Sequence, residues 1–172
     1  HKSLKNNIIG VRNFTDEDKK NPNIVIDRVG HGTHVIGTIC ANGNDITGVA
    51  PDTQIYVLKA INRTGTGKLS WVINAIKYAI ENNVDEIDIC LNRGLFFDES
   101  REKAFQEISE IRNLLNLANK KIVLKVILEV GELQTYNNIM QASILCLENG
   151  ADFIKTSTGK IEKGADIYST IV

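Results

Sequence analysis

Three ionisable residues lie within apolar runs that are typical of strands: Asp88 in EIDIC, Lys125 in VLKVI and Lys155 in DFIKT. Strands that are covered on both faces are almost wholly apolar, so such charges are paired, shifted in pKa or both. Two lysines and a carboxylate at the carboxyl ends of parallel strands suit amine catalysis. One lysine, its pKa lowered by the other cation, attacks a carbonyl carbon while the carboxylate moves protons. The alternative is a buried salt-bridge network without chemistry.

A second candidate is the histidine pair His31 and His34 in the run GHGTH. Residues at i and i+3 lie near one face of a helix, so the pair could ligate a metal, but no cysteine or carboxylate cluster accompanies it. We therefore predict no metal site. The Gly-rich segment from Gly65 to Lys68 could hold a phosphate, yet it lacks the complete G-x-x-x-x-G-K-[ST] spacing. A plain connecting loop is the favoured interpretation.

Strand-like and helix-like segments alternate along the chain, and they must position these residues. Helices are predicted at Thr33–Ala41, at 70–80 with Ser70 as the cap, at Glu99–Ala118 and at Tyr136–Glu148. Strands are predicted at Gln54–Ile61, Glu86–Leu91, Ile122–Glu129 and Asp152–Lys155. Helical crossovers return a chain to parallel pairing, whereas short turns do not. Because no linker-like segment interrupts the pattern, we predict a single α/β domain over residues 1–172, with one parallel sheet flanked by helices.

Composition argues against several classes of protein. The 172 residues, 42% of them hydrophobic, suffice for a core, and 20 Lys and Arg nearly balance 21 Asp and Glu, which predicts no nucleic-acid partner. No apolar run reaches the ~18 residues that span a bilayer, so no membrane partner is predicted. The first residue is His1, which suggests an excised segment or a processed product. Three widely spaced cysteines predict buried, reduced thiols and a cytoplasmic location: Cys40, Cys90 and Cys146.

Three runs in the second half of the chain match one family: DEIDICLNRG (Asp85–Gly94), LKVILEVGEL (Leu124–Leu133) and the highly specific GADFIKTSTGK (Gly150–Lys160). Together they resemble deoxyribose-phosphate aldolases. The resemblance implies part of a (β/α)8 barrel and a class I aldolase that acts on 2-deoxyribose 5-phosphate, acetaldehyde and glyceraldehyde 3-phosphate. It assigns Lys155 as the Schiff-base lysine, Asp88 as the proton-relay carboxylate and Lys125 as the strand-centre lysine. It also implies that the turn at Gly159 and Lys160 holds the phosphate.

Four runs in the first half match a different family: HKSLKNNIIGVRNF (His1–Phe14), GHGTHVIGTI (Gly30–Ile39), GVAPDTQIYVLKAI (Gly48–Ile61) and GTGKLSWVINAIKYAI (Gly65–Ile80). They resemble subtilisin-like serine proteases. The resemblance implies that His31 is the catalytic histidine, the general base that takes the proton of a serine nucleophile. It implies that Gly65 and Gly67 belong to an edge that binds extended substrates.

Neither catalytic set is complete in this sequence. The subtilisin-like part, residues 1–84, lacks the family's Gly-Thr-Ser nucleophile segment, its upstream aspartate and its oxyanion asparagine. The aldolase-like part, residues 85–172, supplies about three of eight strands and lacks the second active-site lysine. The two parts join inside AIKYAIENNVDEIDICLN, a helix–strand unit that is typical of either family. A crossover there preserves a right-handed βαβ connection, so we expect a deliberate or selected chimera rather than a damaged gene.

Three hypotheses about function remain open at this point. The chain is a folded chimera of a subtilisin-like segment and a partial (β/α)8-barrel segment without efficient catalysis, or it is a class I aldolase with residual activity at Lys155. The third hypothesis is a fragment of a subtilisin-type serine peptidase. None of these requires a cofactor. The expected ligand is a small aldehyde or sugar phosphate, and unpaired sheet edges predict pairing of two copies of the chain.

Overall fold

In a computed structural model, which describes residues 1–99 and 101–171, the chain forms two compact units, His1–Ala79 and Ile80–Val172. The strands are β1 (Ile8–Asn13), β2 (Ile55–Lys59), β3 (Glu86–Cys90), β4 (Val123–Ile127) and β5 (Phe153–Lys155). The α-helices are α1 (His31–Cys40), α2 (Leu69–Glu81), α3 (Arg93–Phe97), α4 (Arg101–Leu115), α5 (Tyr136–Glu148) and α6 (Ile167–Ile171). No helix within these described residues is long and apolar enough to cross a membrane.

The first unit contains a two-stranded parallel sheet in which β1 pairs with β2. Asn7 fixes the entry to this sheet, because its side-chain amide donates to the carbonyl oxygens of Pro51 (2.6 Å) and Thr53 (3.0 Å). The buried apolar side chains of this unit are few: Leu4, Cys40, Ala41, Trp71 and Ile76. Helix α1 buries Cys40, whereas its Val35 and Ile39 are exposed.

The second unit contains a three-stranded parallel sheet with the order β3-β4-β5. Arg112 on α4 anchors the beginning of this sheet: its Nε donates to the carbonyl of Gly150 (2.8 Å) and its Nη1 to the carbonyl of Ile122 (3.0 Å). It also forms an ion pair with Asp152, whose carboxylate accepts the N–H of Leu124 at 2.8 Å. The hydrogen bond from Leu124, which outweighs partial desolvation, lowers the pKa of Asp152 together with the charge of Arg112. One arginine thus ties a helix to the starts of two neighbouring strands.

Burial alternates along the strands of the second unit. Leu124 and Val126 on β4 are fully buried, whereas their neighbours Val123, Lys125 and Ile127 are only partly buried. The same side of the unit holds a continuous core that α4 and α5 supply, including Ala104, Phe105, Ile108, Leu115, Ile139, Ala142 and Cys146. The sheet therefore has a covered face and an open face.

The observed elements confirm an α/β fold with parallel strand pairing and flanking helices. Helix α5 matches its predicted bounds. The side chain of Thr135 accepts the N–H of Asn138 at its start, and Gly150 (φ 102°) follows its end. Among the residues that the structure describes, α3 and α6 are additional short helices that the pattern did not predict, and α2 begins at Leu69, one residue before the expected cap.

Three predictions about packing are wrong. The described strands form two separate sheets rather than one continuous sheet. The strands that carry Asp88 and Lys125 are buried more deeply on one face than on the other, because burial alternates from residue to residue along β3 and β4. Of the three free thiols, Cys40 and Cys146 are buried, but Cys90 is exposed on the open face. Cooperative folding of residues 1–172 as one domain stays a prediction.

Candidate functional site

The open face of the three-stranded sheet brings the predicted catalytic residues together. In the parallel register Asp88 lies opposite Lys125, which lies opposite Phe153. One row further along the strands, Cys90 lies opposite Ile127, which lies opposite Lys155. Side chains in register, and at every second position along a strand, project from the same face. The face thus carries two lysines, two carboxylates and a thiol: Lys125, Lys155, Glu86, Asp88 and Cys90.

Lys155 contacts Asp88 across the sheet. Its Nζ donates to Asp88 Oδ2 at 3.1 Å, and each of the two side chains is 42% exposed. Lys155 is the last residue of β5, so it lies at the carboxyl end of its strand, while Asp88 lies on β3 at the opposite edge. The pair therefore bridges over the central strand and places an amine and a proton acceptor in direct hydrogen-bond contact.

Lys125 lies on the same face but makes a different contact. Its ammonium forms a hydrogen-bonded ion pair with Glu86. The hydrogen bond to Glu86 raises the pKa of Lys125, although partial desolvation works in the other direction, and the charges of Glu86 and Asp88 add to the rise. Lys125 is therefore a persistent cation beside the Lys155–Asp88 pair.

Cys90 completes the row that contains Lys155. Although the residue is exposed overall, partial desolvation raises the pKa of its thiol, and the charges of Glu129 and Asp88 add to the rise. The charges of Arg93 and Lys155 oppose it. Since the thiolate is the nucleophilic form of cysteine, these influences make Cys90 a weaker nucleophile than a free thiol.

The turn after β5 contains Gly159 and Lys160 and is fixed by a residue that the sequence did not identify. Gly159 has φ 76°, a left-handed conformation that favours glycine. The buried carboxylate of Glu129 accepts the backbone N–H of Thr158 at 3.2 Å and also its hydroxyl. Sequence inspection placed Glu129 at the end of a strand without a role. An acidic residue inside the apolar run VILEV was the available signal.

In the first unit, His31 is the first residue of α1 and is exposed. Asp27 shapes the turn that presents it. The carboxylate accepts N–H bonds from Val29 (3.0 Å) and Gly30 (2.7 Å), and both the N–H (2.8 Å) and the hydroxyl (2.7 Å) of Thr33. Partial desolvation opposes ionisation, but the bonds from Thr33, Gly30 and Val29 outweigh it and lower the pKa of Asp27 to about 2. Sequence inspection missed this residue.

We expect the first turn of α1 to lose its order in acid through Asp27. A folded-state pKa below the ordinary ~3.9 means that the stabilisation is complete above that value and is lost as pH falls toward about 2. The protection factor of the Thr33 amide, which is its exchange rate by NMR relative to the intrinsic rate at each pH, should fall between pH 5 and pH 2, and Asp27→Asn should remove the dependence. Asp45→Asn, at an exposed carboxylate of the same unit, is the control. A pH profile of Asp27→Asn identical to the wild type would contradict the assignment.

Gly65 and Gly67 lie in an exposed loop after β2. Asn62 organises this loop, since its side-chain oxygen accepts the N–H groups of Thr64 (3.0 Å) and Thr66 (3.1 Å) around Gly65, which has φ 78°. A Cβ at Gly67 would lie 2.9 Å from the carbonyl oxygen of Ala60, so the close approach of two backbone segments requires glycine. In residues 1–99 and 101–171 no group of three or more His, Cys, Asp or Glu side chains is arranged to hold a metal ion.

Comparison with known proteins finds two similarities. The model of the subtilase family matches residues 1–127. An intracellular serine protease of Paenibacillus polymyxa is 35% identical over 177 aligned residues, which cover 99% of this chain and 54% of that protein. The deoxyribose-phosphate aldolase of Homo sapiens is 38% identical over 108 residues, which cover 63% of this chain and 33% of that enzyme. The chain thus spans about half the length of the first relative and a third of the second.

The solved structures add a similarity of fold. A crystal structure from Coccidioides immitis, assigned as a deoxyribose-phosphate aldolase, superposes with a TM-score of 0.53 and 31% identity over 68% of this chain and 45% of that one. The subtilase match extends to residue 127, beyond the predicted join near residue 84, so it includes β3 and β4. A boundary at residue 84 therefore stays a prediction.

Proposed function

We propose that this chain, which belongs to the subtilase family over residues 1–127 and is also similar to deoxyribose-phosphate aldolases, is a chimera without efficient catalysis of either kind. What remains is an amine that forms imines slowly with small aldehydes. The observation that carries this proposal is the 3.1 Å contact between Lys155 Nζ and Asp88 Oδ2 on an open sheet face. It supplies a nucleophile and a proton acceptor in one place.

The proposed step is imine formation at Lys155. Asp88 accepts a proton from the ammonium, and the free amine attacks the carbonyl carbon of the aldehyde to form a carbinolamine. Asp88 returns a proton to the carbinolamine hydroxyl, which leaves as water while the C=N bond forms, and the Asp88 carboxylate then accepts the remaining proton of the nitrogen. One aldehyde and one amine thus give one imine and one water, with no oxidant or metal required. Residual class I aldolase activity would proceed through this imine.

Solvent access is the reason that we propose a slow reaction. Both Lys155 and Asp88 are 42% exposed, so water competes for their hydrogen bonds and screens their charges. Efficient amine catalysis depends on a dry site in which charges act strongly on one another. Lys125, which could act as the neighbouring cation, is bound to Glu86. Reductive trapping of acetaldehyde, followed by peptide mapping, tests the proposal directly, and the label is expected on Lys155.

The ligand that we propose is a small aldehyde or a sugar phosphate. The turn at Gly159 and Lys160 provides the backbone N–H of Gly159 and the ammonium of Lys160, which can bind a phosphate, and it lies four residues beyond Lys155. A phosphorylated aldehyde would place its carbonyl at Lys155 and its anionic end at this turn. We propose neither a nucleic-acid nor a membrane partner, and a cytoplasmic location in keeping with the free cysteines.

Pairing of two copies through a sheet edge is a further part of the proposal. Strands β3 and β5 are the outer strands of the three-stranded sheet. Outer strands present unpaired backbone donors and acceptors that template another strand. Sedimentation equilibrium should therefore detect dimers. A monomer at all accessible concentrations would overturn this part.

Serine peptidase activity is the second candidate function, and we expect none. His31 can act only as a base toward a nucleophile, and the sequence contains no Gly-Thr-Ser segment to supply one. A fluorophosphonate probe should therefore leave the protein unlabelled under conditions that label a serine protease completely. His31→Ala should make no difference. Stoichiometric labelling at one serine that His31→Ala abolishes would contradict this expectation.

A further inference from the structure

Glu129 is a buried carboxylate that the proposed mechanism leaves without a role. It is 2% exposed and follows the carboxyl end of β4, the central strand. Its φ is 58°, a conformation that is strained for a residue other than glycine. A buried carboxylate and a strained backbone are each unfavourable. Because both occur at Glu129, we infer that this residue has a specific role at the end of the strand.

The backbone hydrogen bonds around Glu129 indicate what this role is. The N–H of Leu128 donates to the carbonyl of Lys155 and the N–H of Val130 donates to the carbonyl of Thr156, both at 2.9 Å. The pairing of the two strands thus continues on each side of Glu129, while the positive φ of Glu129 redirects the chain between these bonds. The carboxylate of Glu129 is thereby directed to the turn after β5, where it accepts the N–H of Thr158 at 3.2 Å and its hydroxyl.

The turn is then linked internally as well. The hydroxyl of Thr158 accepts the N–H of Lys160 at 3.1 Å, so the chain of hydrogen bonds runs from Glu129 through Thr158 to Lys160. Glu129 carries a negative charge and would repel an anion, so it does not bind the anion itself. Its contact with Thr158 sets where the next two residues lie relative to Lys155.

We propose that Glu129 is a positioning residue that fixes the turn Thr158–Lys160 at a set distance from Lys155, so that the site prefers aldehydes that carry a phosphate. This inference rests on the proposed imine chemistry at Lys155 and adds a determinant of specificity to it. The preference comes from geometry: a fixed turn holds the anionic end of the ligand while the carbonyl reaches the amine.

The test compares Glu129→Gln and Thr158→Val with the wild type. Glu132→Gln is the matched control, since Glu132 lies three residues further along and pairs with Arg93 at the surface. The first readout is amide hydrogen exchange at Thr158, measured by NMR. A hydrogen bond to a buried carboxylate is strong, so we expect exchange about tenfold faster or more in Glu129→Gln and no change in the control.

The second readout is the ratio of borohydride trapping at Lys155 with glyceraldehyde 3-phosphate to trapping with glyceraldehyde. We expect Glu129→Gln and Thr158→Val both to lower this ratio by about tenfold, the size of one well-placed charge-assisted hydrogen bond. A loss of structure alone would lower trapping of both aldehydes together and leave the ratio unchanged. Thr158→Val, which keeps the buried carboxylate, serves if Glu129→Gln does not fold.

Each result decides one proposal. Fast exchange at Thr158 together with a lower ratio supports the positioning role. If the amide exchange rate and the trapping ratio of Glu129→Gln both match those of Glu132→Gln, the positioning role is overturned. It is also overturned if the exchange rate changes but the trapping ratio does not, because Glu129 would then fix the turn without affecting specificity. If the wild type shows no selective labelling of Lys155 with either aldehyde, the imine proposal fails and the specificity role fails with it, whereas the exchange data still report whether Glu129 holds the turn.

Discussion

Borohydride trapping with acetaldehyde should place the label on Lys155, and Lys155→Ala should remove it almost completely. Lys155 has a carboxylate 3.1 Å from its Nζ that can accept and return protons during imine formation. General acid–base assistance of this kind contributes roughly 10²–10⁴-fold to a rate. Brief exposure to a low concentration of acetaldehyde should therefore label Lys155 well before the surface lysines, as measured by peptide mass spectrometry.

The control for this experiment is Lys121→Ala. Lys121 is a surface lysine with an 81% exposed side chain and only a 3.8 Å ion pair with Asp152. This substitution should leave the label on Lys155 unchanged, and Asp88→Asn should slow its appearance. An even spread of label over the lysines, with no effect of Lys155→Ala, would show that the site is chemically inert and that the chain is a scaffold only.

Leu124→Ala should lower the free energy of unfolding by about 2–5 kcal/mol, the range for deletion of a fully buried leucine side chain. Leu124 is 0% exposed and lies on the covered face of β4, the central strand of the second unit. The lost side chain leaves a cavity that the strands on either side prevent from closing. Leu117→Ala is the matched control, because Leu117 is 80% exposed and its loss should change stability by no more than about 0.5 kcal/mol.

Urea unfolding, followed by circular dichroism and by tryptophan fluorescence, measures this effect. Trp71, the one tryptophan of the chain, reports on the first unit. If residues 1–172 fold as one cooperative domain, both signals shift together in Leu124→Ala. Equal effects of Leu124→Ala and Leu117→Ala would contradict the assignment of the core, and a shift in the circular dichroism signal alone would contradict cooperative folding as one domain.

Much of the fold and part of the candidate site could be predicted from the alternation of strands and helices along the chain. The βα repeat required parallel strands, and a parallel sheet places residues of successive strands side by side. The contact between Asp88 and Lys155 follows from that arrangement even though 67 residues separate them. Helix α5 was predictable in detail, because Thr135 and Gly150 mark its two ends.

The features that could not be predicted depend on side-chain direction and on strand register. An apolar run shows that a strand is buried but not whether helices cover one face or both. The strand EIDIC alternates polar and apolar residues, which indicates one covered face. The strand VLKVI does not show this alternation in its sequence, because the apolar residues Val123 and Ile127 lie on the open face. The partner of Lys125 is Glu86, on the neighbouring strand, and only the register Glu86 opposite Val123 brings it within reach.

The roles of Glu129 and Asp27 were also hidden, for a related reason. Both carboxylates accept backbone N–H groups of other residues, a contact that depends on local chain path rather than on residue type. A positive φ at Glu129 has no sequence signature, since glycine is the residue that ordinarily signals it. The division into two sheets likewise depends on which strands meet, and the pattern of strands alone leaves this open.

The central claim is that the chain is a chimera that keeps an imine-forming lysine but lacks efficient turnover. The most direct test is the rate at which the wild-type chain releases acetaldehyde from 2-deoxyribose 5-phosphate. Typical enzymes turn over at about 10 s⁻¹. We predict release at least about a thousandfold slower than this value, with the residual rate lost in Lys155→Ala. Turnover at about 1–10 s⁻¹ that depends on Lys155 would contradict the account, since an intact aldolase site would then be present.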